Sequence, residues 1–154
     1  MPRRSRKLFT APRRPLPGRG HTVAELLVVV TIAGTLMAIA VPRALLVLDR
    51  ITVRAAAADV AATLGSARAL ALASRSPVAV HIDDIDGSLR IQRGAVVLLS
   101  RNIGQAHGVQ LKQTRDSLAY DAWGLGRGAA NLSVVIWRGA AAETVFVSRL
   151  GRVR

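Results

Sequence analysis

The chain has 154 residues and no cysteine, which excludes a disulfide scaffold, a thiolate metal centre and a cysteine nucleophile. Aromatic residues are nearly absent at 3%, so a base-stacking platform for single-stranded nucleic acid has almost no rings to build with. Acids are scarce as well: 9 Asp and Glu stand against 22 Lys and Arg, for a net charge of +13. What the chain does have is apolar material. At 51% hydrophobic residues it is too apolar for intrinsic disorder, and its length fits one domain plus an unusually hydrophobic segment.

The positive charge is unevenly placed. Seven basic residues (Arg3, Arg4, Arg6, Lys7, Arg13, Arg14, Arg19) fall in the first 20 positions with no acid among them. Without them the remainder carries 15 basic and 9 acidic residues, a net +6. Residues 1–20 are rich in Arg, Pro and Gly, lack apolar periodicity and read as an unfolded leader. Leu26 to Pro42 then runs 17 residues without a charge, and Ala44 to Leu48 extends it across Arg43. As a helix, Leu26 to Leu48 would measure about 35 Å, enough to cross a bilayer core. The cations before this span put its N-terminal side in the cytoplasm and the C-terminal domain outside. A cleavable secretory signal would have a shorter apolar core and no acid at its start, where this chain has Glu25.

Helical periodicity continues beyond the apolar run. Val53, Ala57, Val60, Leu64, Ala67 and Ala71 recur at spacings of three and four, one narrow helix face, and Pro77 ends the segment. After Pro77 the pattern changes to short runs rich in Val, Ile and Leu: Val78 to Ile82, Leu89 to Gln92, Ala95 to Ser100, Val109 to Leu111, Leu132 to Arg138 and Thr144 to Arg149. Glycines punctuate them, as in hairpins. The prediction is an α+β chain, with a long helix covering a small antiparallel β-sheet head of about 80 residues that could not bury a generous core alone.

The segment Gly20-His21-Thr22-Val23-Ala24-Glu25-Leu26-Leu27-Val28-Val29-Val30 resembles the processing site of type IV prepilins and type II secretion pseudopilins. The resemblance implies cleavage by prepilin peptidase between Gly20 and His21, and methylation of the new N-terminus at His21. It further implies a helix kink at Pro42 and an assembly role for Glu25, the fifth residue of the product. His21 stands where the family usually has phenylalanine. The rest of the chain resembles the GspH/FimT-like minor pseudopilins, through Leu64-Gly65-Ser66-Ala67-Arg68-Ala69-Leu70-Ala71 and the C-terminal Val145 to Arg154. Physical chemistry gives Glu25 a reason. A carboxylate in an apolar helix costs about 2.5–3.5 kcal/mol at the bilayer centre on insertion scales, and a neighbouring subunit's new α-amine would neutralise it. The plainer alternative is that Glu25 marks the membrane boundary, where it reaches water.

The implied organisation is a leader over residues 1–20, a transmembrane and assembly helix over 21–48, its amphipathic continuation over 49–76 and a periplasmic β-rich head over 77–154. The implied function is structural: a minor pseudopilin of the bacterial inner membrane, incorporated near the tip of a type II secretion pseudopilus. Its partners would be prepilin peptidase, major and minor pseudopilins, and secreted exoproteins. The alternative is a FimT-like minor pilin that captures DNA during natural transformation. Gly151-Arg152-Val153-Arg154 matches the Gly-Arg-x-Arg element of such proteins, so Arg149, Arg152 and Arg154 are candidate DNA-binding residues, joined by Arg127 and Arg138 if the fold brings them near. A third possibility is an ordinary signal-anchored protein with a β domain.

Nothing in the sequence points to an enzyme, a cofactor or a metal. His21, His81 and His107 are far apart and show no metal-ligand spacing, and His81, alternating with Val80 and Ile82, is expected on the solvent side of a strand. Asp83-Asp84-Ile85-Asp86-Gly87 hints at calcium but misses the EF-hand spacing, and a β-turn explains it. Gly124-Leu125-Gly126-Arg127-Gly128 lacks the Lys-Ser/Thr pair of a phosphate loop and reads as a flexible loop. The processing expectation is checked by mass spectrometry of protein extracted from membranes. The expected N-terminus is a methylated His21, and an intact leader would reject the pilin class in favour of a plain signal anchor.

Overall fold

The structure is a computed structural model that describes residues 22–127 and 131–154. The described residues divide into two compact units, the first ending at Ala38 and the second beginning at Ile39. Helix α1 spans Val23–Ser74. Thr22 caps its start, the hydroxyl accepting the Glu25 N–H at 3.2 Å, and Glu25 lies in the first turn, where the helix dipole favours an anion. Thr31 and Thr35 turn their hydroxyls back onto the carbonyls of Leu27 and Thr31, so the apolar segment presents few unsatisfied polar groups. The helix is continuous through Pro42 and stops where Arg75 takes a left-handed backbone (φ 48°), two residues before Pro77.

Within residues 39–154, α1 buries Val53, Ala56, Ala57, Val60, Thr63, Leu64, Ala67 and Ala71. All six residues of the predicted stripe are among them, and the Thr63 hydroxyl is satisfied by the Asp59 carbonyl at 2.7 Å. Four of the eight are alanines.

Eight strands follow: β1 (Val78–Asp83), β2 (Ser88–Arg93), β3 (Val96–Asn102), β4 (Gln110–Gln113), β5 (Ser117–Tyr120), β6 (Gly126–Arg127), β7 (Leu132–Arg138) and β8 (Ala141–Val147). A short helix, α2 (Ile103–His107), lies between β3 and β4. They form two antiparallel sheets, β3-β2-β1-β5-β6 and β4-β7-β8, where the sequence pattern suggested one small sheet. The core is continuous between them: Val78, Val80, Leu89, Ile91 and Tyr120 of the first and Leu111, Leu132, Val134, Ile136 and Val147 of the second meet the buried stripe of α1.

Three elements escaped the sequence pattern. Ser117-Leu118-Ala119-Tyr120 turns only two residues inward and has weak strand formers between them, β6 is two residues long, and α2 is a single turn. That turn is capped by Asn102, whose side chain accepts from Gln105 N–H, and by Gly108 in a left-handed conformation. The final strand starts three residues before the predicted Thr144, because Ala141 to Glu143 are held by register opposite Arg138 to Ile136 despite poor strand propensity.

Burial ranks the contacts. Leu64 is fully buried at the centre of the α1 stripe. Leu64→Ala is therefore expected to lower stability by about 2–5 kcal/mol, read as a fall in the unfolding midpoint of the detergent-solubilised protein, whereas Leu36→Ala, 62% exposed, should not shift the head's unfolding.

Candidate functional site

Two surfaces carry the residues singled out by sequence. Gly20 and His21 lie outside the described residues. Glu25 stands exposed in the first turn of α1, followed by exposed apolar side chains from Leu26 to Leu48, with Leu27 63% and Met37 65% exposed. Among the described residues α1 is the one helix long and apolar enough to cross a membrane.

The second surface is the C-terminus. After β8 the chain turns at Ser148 to Gly151, closed by the Gly151 N–H donating to the Ser148 carbonyl at 2.9 Å, and folds back along the β8 edge. Phe146 and Arg154 exchange both backbone hydrogen bonds at 2.8 Å, and the Ser148 N–H donates to the Arg152 carbonyl at 2.9 Å. The tail is thus a short fourth strand. Its alternation turns Val153 toward the core and leaves Arg152 and Arg154 exposed. Beside them on β8 stands Phe146, 56% exposed, and Ser133 of β7 lies opposite Phe146. Together with Asn131, Ser148 and Leu150 these side chains line a groove of about 600 Å³.

Gly151 has a separate duty. It sits at φ +70°, and a Cβ there would fall 2.5 Å from the Gly124 carbonyl oxygen and 3.2 Å from both Arg68 Nε and Tyr120 Cε1. Arg68 Nε in turn donates to that same Gly124 carbonyl at 2.9 Å, and the Gly126 N–H donates to the Arg149 carbonyl at 3.2 Å. The glycine of the Gly-Arg-x-Arg element is therefore a packing requirement, while its two arginines are free to act outward. Tyr120 lies beneath this junction, fully buried, its hydroxyl without a hydrogen-bond partner among the described residues. Burial pushes its phenol up to about 12, and the nearby Arg68 charge pulls only partly the other way.

Several expectations change. The loop after Asp121, expected to be flexible, is an ordered turn leading into β6, because Asp121 and Arg68 both hold its backbone. Arg138 does not join the C-terminal basic group. It lies at the other end of β7, with Nε 3.0 Å from Asp49 Oδ1 and a terminal nitrogen donating to the His107 carbonyl at 3.1 Å. Arg127 is exposed on β6, in the other sheet. His81 faces solvent as expected, and the acidic segment forms the expected turn, with Asp83 Oδ1 accepting from the N–H groups of Ile85 and Asp86. No cluster of three metal-ligating side chains occurs among the described residues. Sequence reasoning missed the Asp59–His107 contact, 2.8 Å between carboxylate and imidazole, which ties α1 to α2. Only a fold can bring residues 48 positions apart together.

No protein-family model matches the chain, and no curated protein matches it either. Solved structures do. Two crystal structures of the type IV minor pilin FimU from Pseudomonas aeruginosa superpose with TM-scores of 0.60 and 0.56 at 19% and 18% identity. The matches cover 68% and 66% of this chain and 88% and 90% of those chains. The fold is type IV pilin-like. The α+β architecture expected from the sequence, a long apolar N-terminal helix packed on antiparallel sheets, is the one observed.

The junction yields two measurable consequences. Gly151→Ala must strain a left-handed residue and displace the Gly124 carbonyl, so a loss above about 1 kcal/mol is expected in denaturant unfolding, while Arg152→Gln and Arg154→Gln leave the midpoint unchanged. Tyr120 is the only tyrosine, so ultraviolet absorbance titrates it directly. Its phenolate should form well above pH 10 in the folded protein. Because the folded pKa is raised, the stability linked to this group is fully present below pH 10 and is lost as pH rises toward 12.

Proposed function

We propose that the chain is a non-enzymatic minor subunit of a type IV pilin-like filament, held in the bacterial inner membrane by the first half of α1 with its head on the periplasmic side. The observation that carries this reading is the division of one continuous helix. Residues 53–71 bury their apolar face in the protein's own core, whereas the large side chains of 26–48 have no such cover. In water that exposure would be a severe penalty. In a bilayer, or in the helical bundle of a filament, it is what association requires. The resemblance of residues 20–30 to a prepilin processing site and the fold shared with FimU, itself described as a minor pilin, support the same role.

In this reading prepilin peptidase cuts between Gly20 and His21, and the new N-terminus is methylated. Glu25 meets the α-amine of a neighbouring subunit, fixing register in the bundle, and a bend at Pro42, which has no N–H to give the helix, adjusts the direction of the span. Major and minor pseudopilins are the neighbours, and the head faces them or secreted exoproteins. The resemblance to the GspH/FimT-like group favours the pseudopilus of a type II secretion system.

A second reading draws support from the C-terminal face. Arg152 and Arg154 project on the same side of the tail and line one groove with Phe146 of β8, which suits a phosphate backbone passing over it. Against it stand the small number of cations on this face and the engagement of Arg138 with Asp49.

The primary test is Glu25→Gln. The expected result is normal membrane insertion and processing, with loss of the protein from sheared filaments and loss of secretion. Unchanged incorporation would sink the assembly role. The competing reading is tested with duplex DNA and the full chain in detergent. Weak binding at physiological salt is expected; tight binding that disappears in Arg152→Gln/Arg154→Gln and falls steeply with salt would replace secretion by DNA capture.

A further inference from the structure

The turn between β5 and β6 is held rigid and presents a tryptophan to solvent. Asp121 organises it: one carboxylate oxygen accepts the N–H groups of Trp123 and Leu125, both at 2.9 Å, while the Asp121 carbonyl accepts from Gly124 N–H at 3.0 Å. The Asp121 N–H closes the loop on the Leu125 carbonyl at 2.9 Å. From behind, Arg68 of α1 holds the Gly124 carbonyl, and the glycine lies so close to Leu72 that a Cβ would meet that side chain at 3.1 Å. The C-terminal turn closes the other side through Gly151. Most backbone groups of the turn are thus held, yet Trp123 is 76% exposed.

Around it the same end of the head exposes Leu72, Leu125 and Leu150. The cations there are Arg68, half-buried, and Arg127 and Arg149, exposed. Asp121 is the single acid in the turn, the C-terminal turn and the last two turns of α1, and it aims an oxygen at its own loop. A large aromatic side chain held on a rigid backbone, flanked by leucines and rimmed by arginine, has the composition and preorganisation of an interface anchor. It lies where α1 stops, 24 residues and about 36 Å of helix beyond Leu48.

We propose that this end of the head is a docking surface for a different protein, one that offers an apolar pocket for Trp123 surrounded by carboxylates. Charge selects that occupant. A second copy meeting this surface with its own would bring two sets of arginines together with nothing to neutralise them. A nucleic acid would satisfy the arginines but leave the leucines beside the ring without an apolar partner. The proposal deepens the filament reading by naming the chemistry of a partner, and the two fail separately, because Trp123 is read by crosslinking and binding and Glu25 by filament incorporation.

The test installs a photoreactive benzoylphenylalanine at Leu150 of the full chain in its own bacterium, leaving Trp123 in place, with Lys112 as the control position on β4. The expected result is an adduct at Leu150, absent at Lys112, with one protein other than this chain that carries an acidic surface. That protein, purified, should bind the full chain roughly thirtyfold more weakly after Trp123→Ala, the loss expected of a central aromatic anchor. Binding should also weaken with Arg149→Glu and with salt, while both variants keep the wild-type melting temperature and normal processing at Gly20. An adduct with a second copy, with lipid or with DNA, no adduct, or an affinity indifferent to Trp123 would each overturn the proposal. If filament incorporation is unchanged in Glu25→Gln while the Trp123 contact persists, the docking surface stands without the assembly reading.

Discussion

The head depends on one stripe of α1. Val53, Ala56, Ala57, Val60, Leu64, Ala67 and Ala71 close a core that two thin sheets could not close themselves. Small residues dominate the stripe, so its strength comes from the strand residues brought against it more than from large helix side chains. The same helix carries the exposed apolar segment over 26–48. A substitution in the stripe weakens the platform from which the surface loops of the head are held.

Ion pairs add direction more than energy. Asp49 meets Arg138, Asp59 meets His107 and Asp83 meets Arg90, all with partly exposed side chains, and pairs of that kind are worth about 0–1 kcal/mol each. A buried leucine in the stripe is worth several times that. The first two carboxylates lie on α1 ten residues apart, about 80° apart around its axis, and tie it to Arg138 at the end of β7 and to His107 of α2. They fasten the helix at two points along its length. Gly139, in that β7–β8 turn at φ +56°, leaves room for the Asp49 carboxylate, which a Cβ would meet at 2.7 Å.

The legible parts of the chain were those written in period. The six-residue stripe of α1, the helix end before Pro77 and the alternating strands β1, β2 and β7 are local patterns whose burial follows directly. The basic tail was visible as charge, but its geometry was not. That Gly151 is wedged against Gly124, that Arg68 reaches a carbonyl 56 residues away and that Arg138 is held by Asp49 are facts of tertiary contact with no local signature. The turn at Asp121 shows the limit most clearly. Its glycines suggested flexibility, yet glycine is also what a close approach of backbone to backbone requires, and here the second meaning applies.

The placement of acids leaves one end of the head more basic than the composition beyond residue 20 implies, the exposed Asp84 and Asp86 lying between β1 and β2, Asp116 before β5 and Glu143 on β8. Asp49 and Asp59 face partners within the head, Asp83 divides its oxygens between its own turn and Arg90, and Asp121 turns inward to its loop. Carboxylates engaged in this way still count toward net charge but are poorly placed to neutralise arginines elsewhere. Arg127, Arg149, Arg152 and Arg154 are all exposed, on or beside the tail and the neighbouring β5–β6 turn. The field at that end of the head is consequently more positive than composition implies, and it coincides with the exposed Phe146, Trp123 and Leu150. Apolar surface beside unneutralised cations favours a partner carrying the opposite charge and disfavours self-association through the same face. On the proposed filament reading, a subunit that meets unlike neighbours through its head would keep its own copies apart there while α1 serves assembly.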